Sequence, residues 1–136
     1  MKTKVLLDFI DAINCADLNA MVDLMADNFT FIDSRDNRCT GKENMKQAWI
    51  EYFNLFPDYN IEITGMLKKK SLFYLVGYAG GTYKNLKNEE NSNYWKIPAA
   101  WSAMIKKNKV QNWQVYADNS VVVELLNRNE AVQTIN

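Results

Sequence analysis

The chain has 136 residues, with 16 Lys plus Arg against 16 Asp plus Glu. This length suits one domain with one core, and a formal charge of zero leaves no basic excess to attract nucleic acid or anionic lipid. His is absent, which removes the commonest metal ligand and the usual neutral-pH proton shuttle, so neither a metal nor a cofactor is expected.

Asp8 and Asp11 break the first apolar stretch too early for a signal peptide. No apolar run approaches the ~20 residues of a membrane span. Cys15 and Cys39 have no CxxC spacing and read as two reduced thiols of a cytoplasmic protein.

Val5, Leu6, Phe9, Ile10 and Ile13 recur at helical spacing, which predicts an amphipathic helix over residues 3–15. Asp17 is a suitable cap for a second helix carrying Leu18, Met21, Val22 and Met25, with Asp27-Asn28 at its end. Phe29 to Asp33 reads as a short strand, followed by a polar turn from Ser34 to Cys39. Thr40-Gly41-Lys42-Glu43 has the form of a capping box before a third helix, whose stripe is Met45, Trp49, Tyr52, Phe53 and Phe56 and which Pro57 stops.

Strand patterns follow. The first carries Ile61, Ile63 and Leu67 on one parity, and the second, from Leu72 to Tyr83, is marked by Gly77, Gly80 and Gly81 as bent or bulged. A polar loop over residues 85–93, a strand from Tyr94 to Ile105, a turn from Lys106 to Lys109 and a strand from Val110 to Asp118 come next. Val121 to Asn127 reads as a short helix, with a polar tail that frays. Helices first and hairpin-linked strands after them give a single α+β domain over residues 1–136 with an antiparallel sheet.

The grouping of residues within this order resembles the SnoaL-like branch of the nuclear transport factor two-like superfamily. Ala12-Ile13-Asn14 with Ala16-Asp17-Leu18, Leu24 to Phe31, Gly41 to Asn44, Pro57-Asp58-Tyr59 and Trp113 to Asp118 carry the resemblance, which spans about residues 3–126. It implies a curved sheet wrapped on three N-terminal helices, a cone enclosing a pocket. The superfamily includes polyketide cyclases, ketosteroid isomerase, epoxide hydrolases, dehydratases and non-catalytic domains, so the fold alone assigns no activity.

Asp33 ends its strand on the parity of Phe29 and Phe31, and its position resembles that of the proton-abstracting Asp of ketosteroid isomerase. In an apolar pocket, desolvation would raise its pKa toward useful general-base values. The alternative is an Asp that caps the turn before Ser34. The rest of the isomerase site is missing. Its oxyanion-holding Tyr falls on Phe9 and its protonated Asp near Ala100, which argues against steroid isomerisation. No Arg lies between Arg38 and Arg128 to build the Asp-Arg-Asp set of the epoxide hydrolases. Asp118 resembles the acid/base Asp proposed for the cyclases, without their His, the alternative being a strand-terminal Asp bonded to the following loop; it shares its parity with Gln114 and Tyr116, opposite to Trp113, Val115 and Ala117. Asp58 reads as a turn residue and Lys68-Lys69-Lys70 as a solvated strand end.

Two functions stand beside each other on this reading. One is a cyclase-, isomerase- or dehydratase-type enzyme acting on an apolar carbonyl-bearing molecule. Asp33 would be its base, Asp118 and Tyr116 acid or orienting groups, and Phe31, Trp49, Tyr52, Phe53, Tyr78 and Trp101 substrate contacts. The other is a non-catalytic domain binding a small apolar organic molecule in the same pocket. A dimerising module whose cavity is filled by its own side chains is a third. In each case the apolar outer face of the sheet implies a homodimer.

Overall fold

The computed structural model describes residues 1–85 and 93–135, without the side chains of Asn85 and of residues 130–135. Helix α1 (Lys2–Asn14) leads into α2 (Leu18–Leu24), β1 (Met25–Ile32), β2 (Arg38–Thr40) and α3 (Lys42–Leu55). Strands β3 (Asn60–Lys69), β4 (Leu72–Thr82), β5 (Tyr94–Lys106) and β6 (Lys109–Tyr116) follow, then α4 (Ser120–Ile135).

The six strands form one open, curved sheet in the order β2-β1-β6-β5-β4-β3. Neighbours run antiparallel except β1 and β6, which run parallel with Phe31 opposite Trp113. The sheet is thus antiparallel as expected in four of its five pairings, with one parallel pair, β1 and β6. The parallel pair arises because the helices and the meander of β3 to β6 separate the two strands, so no hairpin joins them.

Alternation along β4 and β5 sorts the two faces. Phe73, Leu75, Ala79, Trp95, Ile97, Ala99, Trp101 and Ala103 are buried beneath the helices. Tyr74, Val76, Tyr78, Tyr94 and Tyr116 stand exposed on the other side. On the inner side α1 packs against β3, β5 and β6, and α3 against β1 and β2. The core between them holds Leu6, Phe9, Ile13, Met21, Phe29, Met45 and Trp49. Asn14 at the end of α1 bonds both backbone groups of Ile61 (3.0 and 2.8 Å), fixing that helix to the edge strand β3.

Three local expectations are corrected. Thr40 is paired within β2, and α3 starts after Gly41 (φ 98°) with no side-chain cap, so the capping box does not form. Strand β1 starts at Met25, because Met25 pairs with Val110 of β6, and the pairing outweighs the helical pattern of α2. The last helix reaches Ile135, with Val122 and Leu125 anchoring it in the core, where a short helix and a fraying tail were expected. Asp17 does cap α2, accepting from Ala20 N at 3.1 Å. Most of the expected 85–93 loop lies outside the described residues.

Candidate functional site

Between α3 and the inner face of the sheet lies a cavity of about 410 Å³. Its buried walls are Met45 and Trp49 of α3, Ala79 of β4, Trp95, Ile97, Ala99 and Trp101 of β5, and Trp113 of β6. Phe31, Ala48, Tyr52, Tyr59, Val115 and Ala117 complete the apolar lining. Asp33, Asn37, Arg38, Cys39 and Asn119 also line it, and these are exposed or half-exposed, so they mark its mouth.

The aromatic wall is built by mutual packing. Trp101 stacks on Trp113 with centroids 6.2 Å apart, and Phe9 meets the edge of Trp113 at 5.4 Å. Trp49 contacts Phe31, Tyr52 and Tyr59, while Phe53 stacks on it at 5.2 Å. Tyr59 is positioned by its neighbour. Asp58 accepts from Thr82 N and Oγ1 at 2.6 and 2.8 Å, which pins the turn after Pro57 to β4 and sets the Tyr59 ring 5.0 Å from that of Tyr52.

Asp33 lines the mouth but is engaged by its own turn. Its Oδ1 accepts from the backbone N–H of Arg35 (2.8 Å) and of Asn37 (2.9 Å), and its Oδ2 from Asn37 Nδ2 (3.1 Å). Partial burial pulls its pKa up, yet the bonds from Asn37 and Arg35 together outweigh it and hold the carboxyl below the usual Asp value. This direction is opposite to the one general-base work requires. The pKa sets a sign for stability: the carboxylate's contribution is present above the unfolded-state value near ~3.9 and is lost as pH falls through the folded value. Titration of the Asp33 carboxyl by NMR should give a midpoint below ~3.9. Asp33→Asn should cost less than ~1 kcal/mol in urea denaturation, because an amide oxygen still accepts from the turn.

The other expected site residues divide by strand parity. Phe31, Trp49, Tyr52 and Trp101 line the cavity. Phe53 sits behind Trp49 and is not part of the lining. Tyr78 and Tyr116 are exposed on the outer face, a correction: the parity that grouped Tyr116 with Gln114 and Asp118 is right, but Trp113, Val115 and Ala117 take the cavity side. Asp118 is exposed at the approach to α4 and accepts from Ser120 N at 3.0 Å. The bonds from Ser120 hold its pKa below the usual value.

Lining residues the sequence reading did not single out as substrate contacts include Tyr59, Trp95, Trp113 and Asn119. The alternation Trp95, Ile97, Ala99, Trp101 carried a signal for the inner side of β5. Nothing in the sequence linked Asn119 to the mouth, where its Nδ2 donates to Ser34 Oγ at 2.7 Å.

The sequence profile of the SnoaL-like domain matches residues 6–93. The chain belongs to the SnoaL-like domain family. A search of curated protein sequences found no match. Among solved structures, this SnoaL-like domain is similar to a hypothetical protein with a ketosteroid isomerase-like fold from Catenulispora acidiphila, in complex with trimethylamine. That pair shares 17% identity with a TM-score of 0.76, covering 89% of this chain and 90% of the other. A candidate SnoaL-like polyketide cyclase from Shewanella denitrificans is similar at 13% identity and TM-score 0.77, covering 93% and 97%. An LEH-like epoxide hydrolase from M. tuberculosis is similar at 10% identity and TM-score 0.76, covering 98% and 95%. These likenesses establish the cone-shaped fold.

Proposed function

We propose that this SnoaL-like domain binds a small, largely apolar organic molecule in its cavity and does not transform it. One observation carries the reading: the inner walls are aromatic and aliphatic, while the carboxylate at the mouth is committed to three donors of its own turn. Cavities of this size and lining enclose small ligands and orient them through a few polar groups. The Catenulispora protein of the same fold is in complex with trimethylamine, a small organic molecule, which supports a small-molecule reading. The neutral probe N-phenyl-1-naphthylamine should bind saturably, at one per chain, with energy transfer from the lining Trp residues. Asp33→Asn should leave its affinity within about twofold, below what loss of a hydrogen bond to a charged group would give. Absence of saturable binding to the folded protein would overturn the proposal.

A second reading is proton transfer by Asp33 in a cyclase-, isomerase- or dehydratase-type reaction. Its support is the place of Asp33 at the cavity mouth and the fold shared with an epoxide hydrolase. Asp118 and Tyr116 lie off the cavity, so this reading rests on Asp33 alone. On it, Asp33→Asn would abolish turnover of a carbonyl substrate while leaving binding intact.

The outer face supports a homodimer. Tyr74, Val76, Tyr78 and Tyr116 are exposed there, and Val76 and Tyr116 both flank Ala100 in register, leaving a shallow apolar surface. Light scattering at micromolar concentration should give twice the 15.8 kDa chain mass. Val76→Glu should shift it to one chain mass, because a charge would be buried unpaired at the centre of the interface. A monomer in the unmodified protein would dismiss the dimer. Among the described residues no helix is long and apolar enough to cross a membrane. Free Cys15 and Cys39 support residence in the reducing cytoplasm.

A further inference from the structure

The zero formal charge hides a segregation that the fold produces. Strands β4, β5 and β6 contain no Asp or Glu, and β3 carries only Glu62, near its start, which pairs with Lys96. Basic residues gather where these strands turn. Lys68, Lys69 and Lys70 close β3, and Lys106, Lys107 and Lys109 flank the turn from β5 to β6. Leu72 of β4 stands opposite Met104 of β5, and Ile105 N donates to Ser71 O at 2.9 Å, so the two turns lie side by side at one end of the sheet. The start of α1 joins them, because Lys2 Nζ donates to Ser71 Oγ at 2.9 Å.

The hairpin lysines are all exposed, and neither they nor Lys2 pair with a carboxylate among the described residues. Lys68 lies over the Phe73 ring and Lys109 donates to the backbone carbonyl of Asp23, which brings one acid near the group. Asp8 of α1 is taken by Lys4 at 2.7 Å. Asp33, Asp36, Asp58 and Asp118 sit in the loops at the opposite end of the strands, where the cavity opens. A chain neutral in sum is therefore positive at its hairpin end, and a field of that kind acts on whatever approaches that end. Neutrality spoke against anionic lipid only as a total.

Beside the lysines the edge strand shows apolar surface: Leu67 is 75% exposed and Met66 42%. An apolar side chain standing in water within a cationic cluster suits a lipid interface, where it enters the acyl boundary while the lysines meet anionic headgroups. Nucleic acid fits less well. Arg35, Arg38 and Arg128 are all elsewhere, so the cluster lacks the planar fork that grips phosphate, and it occupies two hairpin turns, about 15 Å across, with no groove to track a strand.

We propose that this end of the sheet docks on an anionic membrane surface, with Leu67 entering the interface and Lys68, Lys69, Lys70, Lys106 and Lys107 against the phospholipid headgroups. The cavity mouth, at the other end of the strands, then faces the water.

The test is co-flotation of the full chain with vesicles. Phosphatidylcholine vesicles with about 30% phosphatidylserine, in about 0.1 M salt, should bind it at least about 10-fold more tightly than pure phosphatidylcholine, and about 0.5 M salt should release it. At roughly fivefold per lysine, the double variant Lys69→Gln, Lys106→Gln should bind at least about 10-fold more weakly. The pair Lys84→Gln, Lys96→Gln makes the same change of charge at the opposite end and should bind like the unmodified chain. Leu67→Gln keeps the charge and should weaken vesicle binding by about threefold or more. All five positions are exposed, so the thermal midpoints should not move. Failure to bind the charged vesicles, equal binding to charged and neutral vesicles, or equal losses in the two lysine pairs would overturn the proposal. Tight binding to a DNA duplex that Leu67→Gln leaves unchanged, without vesicle binding, would overturn it in favour of nucleic acid.

Discussion

Gly77→Ala is expected to destabilise the protein by about 3 kcal/mol or more, at the upper end of what overpacking costs. A Cβ at Gly77 would lie 1.8 Å from the carbonyl oxygen of Glu62 and 2.9 Å from its carbon, both backbone atoms. The approach is this close because β3 carries a bulge here. The register with β4 shifts between Ile63, opposite Gly77, and Gly65, opposite Val76. The extra residue bends β3, and that bend helps curl the sheet around the helices and open the cavity beneath them. A side chain at Gly77 can be accommodated only by pushing β3 away, which breaks ladder bonds on both sides. Urea denaturation should show a lower midpoint, and the thermal midpoint should fall by roughly 10 °C. Gly65→Ala is the internal comparison. Its Cβ would meet only Val76 Cγ2, at 3.0 Å, a side-chain atom able to move, so the cost should stay below that of Gly77→Ala. Equal costs at the two positions would mean that the bulge is not the point of closest approach.

How far this fold could be read from the sequence depended on where a residue's environment is local. Helix α1 shows in the 3.6-residue spacing of Leu6, Phe9, Ile10 and Ile13, and all four are buried. The glycines marked the strand from Leu72 to Tyr83 as bent or bulged, but the extra residue lies across from Gly77, in β3, between Ile63 and Gly65. Strand β1 was read four residues short, because its partner β6 lies at the far end of the chain and pairing between distant segments leaves little local trace. The same gap explains the site. Parity along β6 was correct, but parity sorts a strand into two sets of residues and does not say which set faces inward. Hydropathy favours Trp113, Val115 and Ala117 for the inner side, whereas the resemblance to the cyclases pointed to Asp118 on the opposite parity. Asp33 had two readings, a pocket base and a turn cap, and the bonds it accepts from Arg35 and Asn37 in the polar turn are those of the cap. Tyr59 depended on Asp58 and Thr82, 24 positions apart, and could not be seen from either alone.

Enlarging Ala99 in steps is expected to close the cavity without harming the fold. Ala99 lies on β5 between Ile97 and Trp101, opposite Gly77, and lines the cavity. It is 8% exposed, so a larger side chain there would leave the space it fills as its main effect. If the space is open, Ala99→Val, Ala99→Leu and Ala99→Phe replace empty volume with van der Waals contact. Stability should hold or rise by up to about 1 kcal/mol, as cavity-filling substitutions commonly do. Affinity for N-phenyl-1-naphthylamine should fall through the series, by at least about 10-fold for Ala99→Phe, which corresponds to about 1.4 kcal/mol. The pairing of signs is what makes the series decisive. If the interior were already filled by the protein's own side chains, each added methylene would force off-rotamer packing and the same substitutions would cost about 1–3 kcal/mol. Loss of affinity accompanied by such a loss of stability would therefore identify a packed core and remove the cavity as the functional site. Loss of affinity with the thermal midpoint unchanged or raised would assign the ligand to the space between Trp49, Trp101 and Trp113, and nowhere on the exposed outer face of the sheet.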